Sequence, residues 1–432
     1  MFIRKLLGNT KVDHRKNTAH MPPVRMDNVK EVLLPVSQHI GAPATPVVKV
    51  GDEVKRGQLI ATAEGAVSSP IYASISGKVS AIESYMRSDG RKTPAIRIVS
   101  DGLMTEVEGI TPPSVTDIDS LIESARASGL VGLGGAGFPT AVKLDALRKG
   151  IIDTVIINGA ECEPYITSDT RTMLDETEWI YRGIALFETH CASIKKYIFG
   201  IEKNKPKCIK AIKDTFARNE KVEVKALPSL YPQGAEKVLI YNATGRVVEA
   251  GKLPMTAGCI VINCSTVAFI YDYLKTGVPL IKRRITVDGP IVNKPMNLIV
   301  PVGTPVKDIL AAANIQKQPD RVLLGGPMMG TCVYDENMPV SKTNNAVILF
   351  ADTKLSVQTA CIRCGRCVRV CSMGLMPTEL EHAYDARNAG LLEKLNINLC
   401  MNCGACTFVC PAKRNISEKN QLAKLFLREN KS

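Results

Sequence analysis

The run CIRCGRCVRVC from Cys361 to Cys371, repeated in kind as CMNCGACTFVC from Cys400 to Cys410, constrains this chain more than any other stretch. Each copy is Cys-x-x-Cys-x-x-Cys-x-x-x-Cys, so eight of the fourteen cysteines fall in one short segment. Three thiols at steps of three can face a common centre only if the backbone between them turns tightly. Gly365 and Gly404 stand where that turn needs freedom in φ. Zinc knuckles and disulfide frameworks also use Cys-x-x-Cys pairs, but four ligands complete a zinc ion, and neither explains a third cysteine at the same step with a fourth at x-x-x. The spacing is that of a [4Fe-4S] cluster site, twice over, with Cys361, Cys364, Cys367, Cys371, Cys400, Cys403, Cys406 and Cys410 as expected ligands. The copies differ after their last cysteine, where Pro411 follows the second and Ser372 the first.

The double run resembles that of the bacterial-type two-cluster ferredoxins, in which the fourth cysteine of each run crosses to the other cluster. The resemblance therefore implies Cys361, Cys364, Cys367 and Cys410 on one cluster, with Cys400, Cys403, Cys406 and Cys371 on the other.

A chain of 432 residues has room for about three domains, each with its own core. No apolar run reaches the roughly 18 residues of a membrane span, and the best candidate, Gly258 to Leu274, is interrupted by Asn263 and Asp272. The opening MFIRKLLGN lacks the apolar core and cleavage site of a secretory signal. Cysteine usage suits a reducing cytoplasm, and Cys162, Cys191, Cys208, Cys259, Cys264 and Cys332 read as ordinary buried thiols. The formal charge of +13 raises the question of nucleic acid, but the basic residues are spread along the chain and form no aromatic-studded stripe, so no nucleic-acid partner is expected. A cationic surface would as readily steer an acidic redox protein or meet anionic lipid headgroups.

Five segments emerge: a multidomain α/β and β chain. Residues 1–25, with Arg4, Lys5, Lys11, Arg15 and Lys16, read as a solvated basic tail. Residues 26–104 are short apolar runs with turns at Gly51-Asp52, Arg56-Gly57 and Ser76-Gly77, a compact all-β unit similar to the barrel-sandwich hybrid of biotinyl and lipoyl carriers. A carrier role is not expected, since Lys78 enters a strand and does not sit on an exposed hairpin. Residues 105–278 alternate helical and strand-like runs, as in DIDSLIESARASG, TVIING and KKYIFGIE, which is α/β text. Residues 279–352 return to strands, with a hairpin turning at Asp288-Gly289 and a helix at VKDILAAANI, a small β-grasp-like module. Residues 353–432 form the α-helical dicluster segment, closed by the helix SEKNQLAKLFLREN.

Within the α/β segment, GLVGLGGAGFPTAVKL carries Gly132, Gly134 and Gly137 as Gly-x-Gly-x-x-Gly. Helical text precedes it, so the strand–loop–helix fingerprint of dinucleotide folds is not met. Its glycines still leave backbone N–H groups that a planar or phosphorylated ligand can approach. Downstream, TVIINGAECEPYIT sets Glu161 and Glu163 beyond a strand ending at Asn158, the carboxyl end at which open α/β sheets bind ligands.

The glycine stretch, GAECEPYIT, YPQGAEK (Tyr231 to Lys237) and the cysteine tail, in this order, resemble the RnfC family, the C subunits of Rnf electron-transport complexes. The likeness extends to the proline-reductase-associated electron-transfer protein and, with domains reordered, to the cobalamin reductase of propanediol-utilising compartments. GLVGLGGAGFPTAVKL is also similar to the flavin loop of the NADH-oxidising subunit of respiratory complex I. These resemblances imply non-covalent FMN, NAD(H) stacked on its ring, and a β-grasp domain of the soluble-ligand-binding type. They imply Gly132, Gly134, Gly135, Gly137 and Lys143 at the flavin or its phosphate, Asn158 and Glu161 at the isoalloxazine, and Glu163 near the nicotinamide. Tyr231, Gly234 and Glu236 would surround the dinucleotide and Asn263 the FMN phosphate, with Glu161 and Glu163 as catalytic carboxylates. The chain departs from complex I at Val131 and Leu133, where Arg is usual, and at Ala160, where Asp is usual. It departs from the Rnf proteins at Ala235, usually Gly, and in NTAHMPPVRM, which replaces Gly-Gly-x-His-Pro and favours a paralogue.

A hydride carries two electrons and a cubane cluster takes one, so a flavin between them reconciles the two. The expectation is an electron-transfer oxidoreductase subunit joining NAD(H), through FMN and two [4Fe-4S] clusters, to a redox partner. That partner would be proline reductase, ferredoxin or Rnf-type membrane subunits, in the cytoplasm or peripheral to the membrane's cytoplasmic face. The alternatives are an iron–sulfur wire or docking subunit with a degenerate nucleotide site, or a cobalamin-reductase-like flavoprotein.

Overall fold

The structure, a computed structural model, describes residues 8–87, 90–354 and 356–430, so Arg4 and Lys5 lie outside the described residues. Alternation in GKVSAIESYM produces a long strand, Gly77–Met86, paired antiparallel with Lys92–Ser100. With Glu31–Pro35 and Glu53–Val54 they form one sheet, and Thr45–Pro46, Leu59–Thr62 and Ile71–Tyr72 form a second. Val32, Leu34, Ile60, Ile71, Ile96 and Ile98 fill the space between. Gly77 opens the long strand where the sequence suggests a turn. Its φ is +149°, and a Cβ there would lie 2.0 Å from the Val99 carbonyl oxygen, so only glycine lets the strands close.

The α/β part is a four-stranded parallel sheet in the order Val222–Leu227, Lys196–Glu202, Thr154–Gly159, Cys259–Asn263. Its central strands are apolar on both faces, as covered parallel strands must be. Val155, Ile157, Tyr197, Phe199, Ile260 and Ile262 join one large core with helices Ile118–Ala127, Thr177–His190 and Cys264–Thr276. Ile156, Ile198 and Val261 point the other way, onto Leu239, Ile240 and Ala243 of helix Glu236–Thr244.

A mixed six-stranded sheet follows, built on the antiparallel pair Lys282–Asp288 and Met296–Pro301 with Ala346–Phe350 beside it. Helix Val306–Ala312 packs into its core. One edge strand of this sheet is Val24–Arg25, paired in parallel with Leu298 and Ile299. The expected solvated tail is therefore corrected. From Gly8 onward the segment is threaded between the other parts, with Thr18 fully buried and bonded to Thr167, and the Lys16 ammonium is taken up by three backbone carbonyls. In the cysteine segment, helices Pro377–Asp385 and Ile416–Glu429 pack through Leu380, Ala423 and Leu427. Arg414 clamps the buried Glu381 carboxylate with two bonds of 2.7 and 3.0 Å. No helix among the described residues is long and apolar enough to cross a membrane.

Candidate functional site

Strand Thr154–Gly159 has Lys196–Glu202 on one side and Cys259–Asn263 on the other, so the strand order reverses at it. Such a switch point leaves a crevice at the carboxyl ends of the strands. Asn158 and Asn263, in direct register, stand at its floor. Asn263 Oδ1 caps helix Cys264–Thr276 by accepting from the Ser265 and Thr266 N–H groups at 2.9 and 3.3 Å, while its Nδ2 donates to Asp169 at 2.7 Å. Asn158 Nδ2 donates to the Gly234 carbonyl at 2.9 Å.

The glycine stretch runs over this floor after helix Ile118–Ala127 and leads into the short helix Thr140–Leu144. Its tip, Gly134 to Ala136, is exposed, whereas Gly132 and Gly137 form its base through Gly132 N–H to Phe138 O and Gly137 N–H to Gly132 O. A Cβ on Gly134 would come within 3.1 Å of the Asn263 amide, and one on Gly135 would meet nothing within 4 Å. Two buried basic side chains hold the base: Lys342 Nζ donates to Gly129 O at 2.8 Å and Arg283 Nη2 to Leu133 O at 3.0 Å. Lys143 Nζ donates to Glu236 Oε1 at 2.7 Å and to Val261 O at 2.9 Å, so its ammonium enters the site already paired. Exposed backbone donors, an ammonium at the rim and side-chain amides on the floor fit a flat, phosphorylated ligand such as FMN.

The two carboxylates expected at the strand end differ in kind. Glu161 Oε1 accepts from the Asp169 and Thr170 N–H groups at 2.7 and 3.3 Å, and Oε2 accepts from Thr170 Oγ1 at 2.5 Å. It closes the start of helix Ser168–Asp175, a structural task that occupies both oxygens. Glu163 Oε2 accepts from Met328 N–H at 3.0 Å, and its Oε1 is buried with no partner among the described residues. Burial pushes the Glu163 carboxyl up to about 7, against the pull of the Met328 and Met329 N–H groups, the Lys16 ammonium and the Tyr231 hydroxyl.

Two lysines fix the backbone between these carboxylates. Lys16 Nζ donates to the carbonyls of Glu161, Glu163 and Ile166 at 2.7, 2.7 and 2.6 Å, which matches three acceptors to the three N–H bonds of an ammonium. Burial lowers its pKa to about 8, which leaves it charged at neutral pH. Lys205 Nζ donates to Ala160 O at 2.6 Å and pairs with the buried Glu202 at 3.2 Å. Sequence reasoning missed both roles, because Lys16 sat in the supposed tail and nothing local to Lys205 announces its bond to the Ala160 carbonyl.

The far side of this loop abuts the cysteines. Tyr231 exchanges backbone hydrogen bonds with Thr10, both 2.8 Å, and its hydroxyl donates to Cys403 O at 2.7 Å. Met328, which holds Glu163 through its N–H, presses its carbonyl on Gly404, where a Cβ would lie 2.6 Å from that oxygen. Gly365 and Gly404 adopt φ of +69° and +76° ahead of helices Arg366–Val370 and Ala405–Phe408. Cys371, Cys400, Cys403 and Cys406 line one small cavity together with Met373, Leu375 and Ala405. Four sulfurs around an apolar hollow are a donor set that a cluster core fits. Of the other four cysteines, Cys367 is buried, Cys361 and Cys410 are half-buried and Cys364 is exposed. Among the described residues no three His, Cys, Asp or Glu side chains converge as ligands of a single ion. Two of the scattered thiols depart from the expected burial: Cys332 is exposed on the short edge strand Thr331–Cys332, and Cys162 is half-buried, its Sγ accepting from Gly234 N–H at 3.4 Å.

Comparison with known proteins bears on this arrangement part by part. Residues 6–103 match the RnfC barrel sandwich hybrid domain, residues 125–272 the Nuo51 FMN-binding domain and residues 360–414 the 4Fe-4S dicluster domain. The chain is 41% identical, over 85% of its length and 82% of the relative's, to the C subunit of the proton-translocating ferredoxin:NAD(+) oxidoreductase complex of Clostridium ljungdahlii. It is 37% identical over 87% of its length, and 85% of the relative's, to the C subunit of the Na(+)-translocating ferredoxin:NAD(+) oxidoreductase complex of Acetobacterium woodii. The C subunit of the ion-translocating oxidoreductase complex of Pseudomonas aeruginosa is 39% identical over 85% of this chain, which spans 48% of that longer relative. Among solved structures, a chain of NAD+-reducing [NiFe]-hydrogenase in the air-oxidized state superposes with a TM-score of 0.52 at 18% identity, over 72% of this chain and 61% of that one, a likeness of fold.

Proposed function

This chain belongs to the RnfC family, the C subunits of ion-translocating ferredoxin:NAD(+) oxidoreductase complexes, and we propose that it is the part of such a complex that exchanges electrons with NAD(H) and relays them to or from a ferredoxin-type partner. Bound here, FMN would supply the conversion between one electron pair and two single electrons, and two [4Fe-4S] clusters would supply one-electron stations. Partner subunits would hold the chain at the cytoplasmic face of a membrane that it does not itself enter.

The residues divide the work. The N–H groups of Gly134 and Gly135, with Lys143 at the rim, bind an anionic group, and Asn158 and Asn263 orient a flat one between the strand ends. Glu161 fixes the loop by capping helix Ser168–Asp175. Glu163, with Oε1 buried and unpartnered, takes up and releases a proton near neutral pH. Tyr231 binds Cys403 and keeps the crevice loop against the cysteine segment. Cys371, Cys400, Cys403 and Cys406 hold one cluster, and Cys361, Cys364, Cys367 and Cys410 the other.

One observation carries this reading: the crevice loop and the second cysteine run share a seam, through the Tyr231 hydroxyl on Cys403 and through Met328 between Glu163 and Gly404. The test is anoxic purification with iron, sulfide and flavin analysis, followed by NADH titration watched by EPR. Both clusters should be present, one FMN should be retained, and NADH should reduce the clusters. A wire protein without nucleotide chemistry is favoured by one feature, the mutual pairing of Lys143 and Glu236. It would give clusters that dithionite reduces and NADH leaves oxidised.

A further inference from the structure

We propose that the face of the cysteine segment that exposes Cys364 is the docking surface for an acidic one-electron carrier protein, with Arg366, Arg369 and Lys413 as its charge contacts and Phe408 as its apolar centre. The inference rests on the electron-transfer reading above and adds to it the place where the partner binds and the charge it carries.

The two cysteine sets are not equivalent. The set of Cys371, Cys400, Cys403 and Cys406 is turned inward, with Gly404 pressed on Met328, Tyr231 on Cys403, and Gly8 so close to Cys371 that a Cβ there would lie 2.5 Å from its carbonyl oxygen. The other set has one exposed member, Cys364, flanked by exposed Ile362 and Arg363. Electrons leaving the crevice loop therefore meet the inward set first, and the outward set is where a second protein can come near.

The chemistry of that outer face is one-sided. The charged side chains that line its cavity are Arg366, Arg369 and Lys413, with no Asp or Glu among them, and Arg363 stands exposed next to Cys364. Arg414 is spent on Glu381, but no carboxylate pairs with Arg363, Arg366, Arg369 or Lys413 among the described residues. Arg366, Arg369 and Lys413 line, with Val370, Phe408 and Pro411, a shallow open cavity beside Cys410. Phe408 is 53% exposed and Ile362 67%, so apolar side chains stand uncovered among unpaired cations. An apolar centre ringed by charge of one sign is the arrangement by which a transient redox complex is steered and then released. A partner of negative charge is the complement. A cluster's own negative charge also attracts cations, and the experiment separates these two roles.

The test uses the cluster-loaded full chain and, as probe, a [2Fe-2S] ferredoxin of strongly negative net charge, with a basic c-type cytochrome as control. Binding is measured by titration across ionic strength, which needs no NADH turnover. A failure of NADH to reduce the clusters would therefore count against the proposed function and leave this inference standing or falling on its own. The triple reversal Arg366→Glu, Arg369→Glu, Lys413→Glu should weaken ferredoxin binding about tenfold or more at low salt and flatten its salt dependence. The swap Arg366→Lys, Arg369→Lys, Lys413→Arg should retain both. If the triple reversal costs the clusters, the single Lys413→Glu carries the test and should weaken binding at low salt in the same sense. Unchanged affinity and slope, a changed cluster potential with unchanged binding, or equally tight binding of the basic cytochrome would each overturn the proposal.

Discussion

Glu163 is the carboxyl group in the crevice loop whose protonation the fold moves into the physiological range, because one oxygen is buried with nothing to meet it. Burial raises its pKa from 4.5 to about 7. Below pH 4.5 both folded and unfolded chains hold the proton and the site is neutral to stability. As pH rises to 7 the unfolded chain ionises while the folded one does not, so the native state is progressively penalised, and the penalty is complete above 7. Glu163→Gln should therefore gain stability over the parent as pH goes from about 5 to about 8, by at most about 3 kcal/mol, and a melting-temperature gap that does not change with pH would contradict the assignment. Lys16→Met removes three N–H donors from buried carbonyls and should cost on the order of 3 kcal/mol, read as lost hydrogen-exchange protection in residues 160–166. Lys16→Arg should not rescue it, since a planar fork cannot aim at three converging oxygens. The sequence marks Glu161 and Glu163 by one argument, carboxylates beyond a strand end, and cannot tell them apart. Glu161 meets a helix start only a few residues on, whereas the partner of Glu163, Met328, comes from a segment far away in the chain.

At the level of elements, patterns that depend on side-chain periodicity are legible in the sequence. TVIING is a central parallel strand, the glycine stretch follows a helix as its text says, and SEKNQLAKLFLREN lies within the helix Ile416–Glu429 and its cap. What is not legible depends on backbone. The segment from Gly8 to Arg25 looks like solvent-loving text, yet its Thr10 amide pairs with Tyr231, its Lys16 serves three carbonyls, and Val24–Arg25 makes a strand too short for any period to reveal. The cysteine runs yield a prediction at this scale. Cys371→Ala should damage the same cluster as Cys400→Ala, and Cys410→Ala the same as Cys361→Ala, as read by EPR of the reduced protein; pairing of Cys371 with Cys361 and of Cys410 with Cys400 would refute the crossed ligation. Gly404→Ala should separate the second run from Met328, because a Cβ has no room beside that carbonyl and the positive φ strains it further. The expected sign is slower NADH-dependent cluster reduction with iron content retained.

Across the whole molecule, the β units and the amino-terminal segment act as a frame. Lys342 ties the barrel-sandwich part, through Pro70 O, to the base of the glycine stretch, through Gly129 O. Thr18, Thr167, Thr286 and Asn297 join the amino-terminal segment, the crevice loop and the mixed sheet in one buried hydrogen-bonded knot. This frame sets the crevice on one side of loop 160–165 and the inward cysteine set on the other; with FMN in the crevice and a cluster on each cysteine set, electrons would pass the inward set first, an order that the sequence, with its two equivalent-looking cysteine runs, does not reveal. Rapid freeze-quench EPR after mixing the anoxic, cluster-loaded protein with NADH tests that order most directly. Signals are assigned beforehand with Cys400→Ala and Cys361→Ala. The account predicts that the signal missing in Cys400→Ala rises first and the signal missing in Cys361→Ala follows; the reverse order, or no cluster signal at all, would contradict it.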